Sequence, residues 1–217
     1  QRYRMIDFNQ SLFDTSGTVK SLEYDPNRSA FIALLDYGNG NDSYILAPKG
    51  LSIGDTIVSS QHSIEAKTGN RMPLEYIPAG FQVHNIEIEI GRGGKLVRSA
   101  GLAATVLTVE GNYVHVKMPS GEVRMLPKTA RASVGAVSNP DHGLVRKGKA
   151  GTVRRKGKRP TVRGKAMNPV DHRHGGGEGA HSIGLPRPVT AWGKPALGVK
   201  TRNPNKWTNK LILKRRK

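Results

Sequence analysis

The stretch MNPVDHRHGGGEG, at residues 167–179, concentrates the residue types that can do chemistry. Asp171, His172 and His174 come directly before the glycines at positions 175, 176, 177 and 179. Such a set could bind a metal ion, supply an imidazole base for hydrolysis, cradle a phosphate, or let a backbone approach a polyanion closely. The neighbouring sequence has to decide between these four kinds of site.

Metal binding and catalysis are both poorly supported by the spacing. Zinc usually takes four ligands, the chain has no cysteine, and His181 is the only further imidazole nearby. Asp171 and His172 are adjacent in sequence, and adjacent residues rarely face each other as an acid and a base do in a triad. No Lys-Ser or Lys-Thr pair follows the glycines, as a Walker loop would require. We therefore predict no metal site and no catalytic residue, and expect the imidazoles to hydrogen-bond to backbone or phosphate.

Charge is distributed very unevenly along the chain. Residues 144–217 contain 21 Lys or Arg against two acids, which is the whole formal charge of +19, whereas residues 1–143 hold 14 basic and 14 acidic residues. Like charges at this density repel one another unless a polyanion neutralises them. A membrane surface would require an amphipathic helix, and the prolines and glycines of this segment exclude a long one. Nucleic acid is the expected partner.

The cations favour folded RNA over a regular DNA groove, because glycines and prolines force them along an irregular path. The closing KLILKRRK keeps DNA binding, or a targeting role, as an alternative. Trp192 and Trp207 could stack on bases or cap a local apolar cluster. The predicted RNA-binding residues are Arg154, Arg155, Lys156, Lys158, Arg159, Arg163, Lys165, Arg173, Gly175, Gly176, Gly177, Lys200, Arg202, Lys206, Lys214, Arg215 and Arg216.

Residues 1–143, in which positive and negative charges balance, predict a mainly β fold. Segments 3–8, 17–24, 30–37 and 43–48 are β-rich and separated by turn residues, as in an antiparallel meander or small barrel. Residues 83–90 alternate, which predicts Ile86, Ile88 and Ile90 on one face and Glu87 and Glu89 on the other. Residues 103–118 predict a hairpin turning at Gly111-Asn112, with 122–127 as the next strand. No apolar run is long enough to span a membrane, and the first residues do not form a secretory signal.

Several long motifs identify the chain as a member of a known family. RPTVRGKAMNPVDHRHGGGEG (159–179) and RPVTAWGKPALGVKTRN (187–203) closely resemble the universal large-subunit ribosomal protein two family, bacterial or organellar type. LEYDPNRSA (22–30), YILAPKGL (44–51) and GRGGKLVRSAG (91–101) are similar to it as well. The resemblance extends over essentially the whole chain.

The resemblance implies three parts. They are an oligonucleotide-binding-type barrel at 1–67, an SH3-like barrel at 68–136, and an extended basic tail at 137–217 that threads into ribosomal RNA and orders only against it. It implies a structural constituent of the large subunit, not an enzyme, which supports assembly, subunit association and tRNA binding. Asp171, His172 and His174 would lie near the peptidyl-transferase centre, where a part for His172 in peptide-bond formation is the alternative. A general nucleic-acid-binding protein is the other alternative.

The implied partners are large-subunit rRNA, other ribosomal proteins and, through an intersubunit contact, the small subunit. Neither a membrane nor a homo-oligomer is expected, and no cofactor beyond magnesium ions bound by the RNA nearby. Arg173 stands where the family usually has Pro, a Trp common before the Arg-Pro motif is missing from RRKGKRP, and the sequence starts inside the first barrel, where the family has a further basic arm that was removed, encoded separately or left out. These departures favour a mitochondrial ribosome over a bacterial or plastid one, and the first barrel is expected to need the arm or another chain to close.

Overall fold

The protein is described by a computed structural model that covers residues 3–38, 40–179 and 181–216. It divides into two compact units, Gln1–Val145 with Trp207–Lys217, and Arg146–Lys206. Within the described residues every strand belongs to the first unit, where the strands form two antiparallel sheets. This architecture confirms the predicted mainly β fold class.

The first sheet has the strand order β3-β2-β1-β4, formed by β1 (Ser16–Glu23), β2 (Ile32–Asp36), β3 (Asp42–Leu46) and β4 (Thr56–Val58). Three of the four strands predicted from β-rich composition and turn residues are confirmed. The strand predicted at 3–8 is wrong, because Ile6 makes only one isolated bridge in that stretch. Burial alternates along β1, as the pleat predicts, whereas the neighbouring residues Ile32 and Ala33 of β2 are both buried. The core that these strands build consists of Val19, Ala33, Leu35, Ile45, Ala47 and Ile57.

The second sheet has the order β11-β9-β8-β7-β6-β10-β5. Its strands are β5 (Arg71–Pro73), β6 (Gln82–His84), β7 (Ala104–Glu110), β8 (Tyr113–Lys117), β9 (Val123–Pro127), β10 (Arg131–Val134) and β11 (Ile212–Lys214). The predicted hairpin between β7 and β8 is confirmed, and Gly111 takes the positive φ of +56° that its turn needs. β11 lies in the segment assigned to the tail, yet it pairs with β9. Distant sequence therefore completes the edge of this sheet.

The alternating pattern at 83–90 is only partly a strand. β6 ends at His84 because Asn85 adopts a left-handed φ of +49° and donates from its side chain to the Phe8 carbonyl at 3.2 Å. Alternation places Glu87 on the face opposite Ile86, yet the side chains of both residues are fully buried. Ion pairs with Arg71 and Arg131 stabilise that carboxylate in the interior.

A buried histidine on β6 makes the stability of this unit depend on pH. His84 is 1% exposed, and its Nδ1 lies 2.9 Å from the Gly135 carbonyl oxygen, which requires a proton on Nδ1. Burial lowers the pKa of His84 to about 4.

We expect the free energy of unfolding to fall as the pH drops from about 6.5 to about 4, because the unfolded chain takes up a proton that folded His84 refuses. The loss should reach roughly 3 kcal/mol at about 1.36 kcal/mol per unit. Urea unfolding at a series of pH values tests this. The variant His84→Gln keeps a donor near Gly135 but cannot titrate, so its profile should be flatter by that amount. Parallel profiles for the two proteins would contradict the assignment.

The second unit has a different character. No described residue between 146 and 206 is buried. Its regular structure is the six-residue helix α1 (Ala150–Arg155) and the 3₁₀ turn Gly164–Ala166. The 3₁₀ turns of the first unit are Leu74–Tyr76, Pro140–Gly143 and Trp207–Leu211. No described helix has the length and apolar character to cross a bilayer. A segment without an apolar core depends on a partner for most of its stability.

Candidate nucleic-acid interface

The densest group of cations begins in the last residues of one short helix. α1 ends at Arg155, and Gly157, with φ +87°, turns the chain out of it. The predicted irregular path is thus interrupted by six helical residues. The cations of this group are Arg154, Arg155, Lys156, Lys158, Arg159, Arg163 and Lys165, which we call the basic segment.

Every side chain of the basic segment is exposed, and none forms an ion pair with a described carboxylate. The second unit's only acids are Asp171 and Glu178. Because guanidinium groups bind phosphate oxygens through two parallel donors, this segment presents the kind of donors that a phosphate backbone accepts from. No described carboxylate of the chain therefore neutralises the positive charge of the basic segment.

The two histidines of the opening motif are linked to each other. The backbone N–H of His174 donates to Nδ1 of His172 at 2.9 Å, and the backbone N–H of Val189 donates to Nε2 of His174 at 3.0 Å. The ring centroids lie 4.7 Å apart with the planes tilted by 54°. Neutral His172 therefore carries its proton on Nε2 and His174 on Nδ1. Both half-buried rings hold local backbone in place.

The glycines of the motif pack against their own chain. A side chain at Gly175 would overlap the carbonyl oxygens of Met167 and Asn168, and at Gly176, whose φ is +87°, it would meet Pro169 Cγ at 2.7 Å. Gly164, upstream, leaves room for the His172 ring, which an added Cβ would meet at 2.6 Å. The glycines thus close a compact loop, which we call the histidine–glycine loop (Gly164–Gly177).

Residues 188–196 form a tight hairpin. Thr190 N–H donates to the Lys194 carbonyl at 2.7 Å, Gly193 N–H donates to the Thr190 carbonyl at 2.9 Å, and Val189 and Pro195 form a bridge. Trp192 stands at its tip with 85% of its surface exposed. The alternative that Trp192 caps an apolar cluster is therefore wrong. Trp207 is 55% exposed.

The remaining predicted residues fall into both units. Arg173, Lys200, Arg202 and Lys206 are exposed in the second unit, as is Asp171, while Lys214, Arg215 and Arg216 are exposed in the first. Among the described residues, no group of three or more His, Asp or Glu side chains is placed to bind a metal ion. The histidine–glycine loop brings His172, His174, Gly175 and Gly176 together.

Sequence reasoning missed two partners of the histidines. Gly164 packs on the His172 ring, and Val189 donates to His174 from 15 residues away. Neither contact belongs to a spacing rule for helices or strands, so no periodic signal marks it. The backbone conformation of Gly164 does not itself require glycine, since its φ is not positive.

Comparison with protein families gives two matches along the chain. The family described as Ribosomal Proteins L2, RNA binding N-terminal domain, matches residues 1–59. The family described as Ribosomal Proteins L2, C-terminal domain, matches residues 67–193. The first match includes the whole first sheet, and the second includes β5–β10, the basic segment and the histidine–glycine loop.

Proposed function

The chain belongs to the ribosomal protein L2 family of large-subunit RNA-binding structural proteins, and from that membership we propose that its second unit binds large-subunit rRNA near the peptidyl-transferase centre. The family itself agrees with the resemblance seen in the sequence. Family membership alone does not give the location near that centre or the residues that contact the RNA, so we propose both.

The observation that carries the proposal is an exposed cationic segment without a core. The basic segment has no described carboxylate partner, and no described residue from 146 to 206 is buried. Folded RNA supplies both missing elements, since its phosphates neutralise the charge and its shape orders the chain. The seventeen predicted RNA-binding residues are proposed as the contacts, fourteen in the second unit and Lys214, Arg215 and Arg216 in the first. The histidine–glycine loop would hold a fixed shape against the RNA.

We further propose that the protein supports assembly of the region around the peptidyl-transferase centre, subunit association and tRNA binding. Its partners would be rRNA, other ribosomal proteins and the small subunit, and it would need no cofactor of its own. Its place on the ribosome follows from the family; a mitochondrial ribosome is our proposal, on the departures at Arg173 and in RRKGKRP. Sedimentation of the tagged chain with large-subunit particles, compared between mitochondrial and cytosolic fractions, tests it.

His172 is proposed to be structural. Its Nδ1 already accepts the His174 N–H at 2.9 Å, so that nitrogen is not free to take a proton from a substrate.

Ribosomes carrying His172→Ala should therefore form peptide bonds at a rate within about tenfold of normal, below the ~10²–10⁴-fold contribution of a general base. Any larger defect should appear as loss of assembled large subunits. Exposed His142 on the first unit provides the control variant His142→Ala. Fully assembled His172→Ala subunits that had lost the chemical step would support a catalytic His172 and contradict this proposal.

A further inference from the structure

We propose that Trp192 stacks on an unpaired base of the rRNA and that His174 is the positioning residue for the hairpin that presents it. This inference rests on the proposed function but concerns a contact that charge does not explain. The indole is an apolar group at the tip of a cationic unit, and 85% of its surface faces solvent. Stacking between aromatic side chains and bases is the usual use of such a ring in proteins that bind single-stranded segments of RNA.

The hairpin under Trp192 is closed by backbone hydrogen bonds on both sides of the tip. Ala196 N–H donates to the Pro188 carbonyl at 2.9 Å, in addition to the two bonds between Thr190, Gly193 and Lys194. Gly193 has φ +79°, a conformation that side chains other than hydrogen rarely allow. These local hydrogen bonds restrict the conformations of the tip even though the unit as a whole depends on RNA for its order, which lowers the entropy cost of stacking.

The histidine–glycine loop holds the base of the same hairpin. Nε2 of His174 accepts the Val189 N–H at 3.0 Å, and His174 is itself held by its N–H bond to His172. On the tip, the guanidinium of Arg173 packs against Gly193, where an added Cβ would meet its Cζ at 2.8 Å. The loop thus contacts the hairpin on either side of Trp192. The MNPVDHRHGGGEG motif thus orients the hairpin that carries the Trp192 ring.

The surroundings favour a nucleic-acid base over an apolar protein surface as the occupant. Arg173 lies beside the tip, and Lys194 follows Gly193 directly. A base brings its phosphate with it, so one nucleotide would satisfy both the aromatic ring and the neighbouring cations. An apolar protein partner would leave those charges to be desolvated without compensation.

Trp192 can be observed directly, because the chain has two tryptophans and Trp207→Phe leaves it as the only one. The full-length Trp207→Phe protein is titrated with folded large-subunit rRNA made by transcription, with binding measured separately by filter retention. Binding should quench the Trp192 emission and protect the ring from acrylamide. Retention of RNA with unchanged emission and unchanged acrylamide access would overturn this inference and leave the proposed function standing. Failure to retain RNA at all would overturn both.

Two variants of Trp192 distinguish aromatic stacking from an effect of side-chain size alone. In the wild-type background, Trp192→Phe keeps an aromatic face and should bind within about threefold of wild type, whereas Trp192→Leu should bind about 5- to 100-fold more weakly. The salt dependence of Trp192→Leu should match wild type, since no phosphate contact is removed. Equal losses for Phe and Leu, or a shallower salt slope for Leu, would refute stacking.

The positioning role of His174 has its own pair of variants. His174→Gln retains a hydrogen-bond acceptor for the Val189 N–H, and His174→Leu does not. In the Trp207→Phe background, His174→Leu should reduce the RNA-induced quenching of Trp192 while His174→Gln largely restores it. The same quenching in both variants would show that His174 does not position the hairpin.

Discussion

Replacing the seven cations of the basic segment by Gln is expected to weaken binding to folded large-subunit rRNA by roughly 10³-fold or more near 0.15 M salt. The segment has no described carboxylate partner in the chain, so its charge is available to phosphates. Each phosphate contact releases condensed counterions, so the slope of log K against log salt should become shallower by about 0.7–0.9 for every contact removed. Filter binding at a series of salt concentrations measures both quantities.

A smaller matched pair of variants distinguishes local contacts from net charge. The triple variant Arg154→Gln/Arg155→Gln/Lys156→Gln removes as much charge as Lys67→Gln/Lys95→Gln/Lys117→Gln, which alters exposed positions of the first unit. The first triple should bind roughly 100-fold more weakly, and the second should stay within about threefold of wild type. Equal losses for the two would mean that RNA responds only to total charge, and the proposed interface would be wrong.

The parts of the fold that the sequence predicts are those set by neighbouring residues. β1, β2 and β3 follow from β-rich segments between turn residues, and the β7–β8 hairpin follows from its turn at Gly111-Asn112. β11 could not be found this way. Its partner, β9, lies far away in sequence, and LILK surrounded by Lys and Arg has the pattern of a basic tail.

The sequence predicts where the positive charge of the candidate site lies, but it does not predict how the chain packs against itself there. Counting Lys and Arg is sufficient to locate the basic segment. The histidine–glycine loop instead depends on contacts such as Gly175 against Met167, and on the Val189 N–H that reaches His174. Glycine's lack of a side chain suits close approach to any surface, so the sequence could not say whether that surface was RNA or the chain itself.

Glu87 shows the same limit most clearly, because alternation places it opposite Ile86 but does not predict that its side chain is fully buried. Its fully buried carboxylate accepts from Arg71 Nη2 at 2.9 Å and from Arg131 Nη2 at 3.2 Å. It also accepts from the backbone N–H of Arg131 at 3.3 Å. Burial lowers the pKa of Arg71 to about 10, with Glu87 opposing the shift, so Arg71 remains protonated at neutral pH. Arg131 extends the network to the N-terminal segment through Asn9 Oδ1 at 2.6 Å.

Glu87→Gln is therefore expected to destabilise the first unit by about 3–5 kcal/mol, because two buried guanidinium groups would share no carboxylate. Arg71→Met should cost less, since it leaves Arg131 and Glu87 as a one-to-one pair and removes an arginine whose Nε already has no partner. Glu89→Gln is the control: it makes the same chemical change two positions away, in a partly exposed pair with Arg92, where surface pairs contribute about 0–1 kcal/mol. Urea unfolding of the three full-length variants, followed by far-ultraviolet circular dichroism, gives the ranking. If Glu87→Gln proved as stable as Glu89→Gln, the paired arginines would not require a buried carboxylate, and the burial of Glu87 would need another cause.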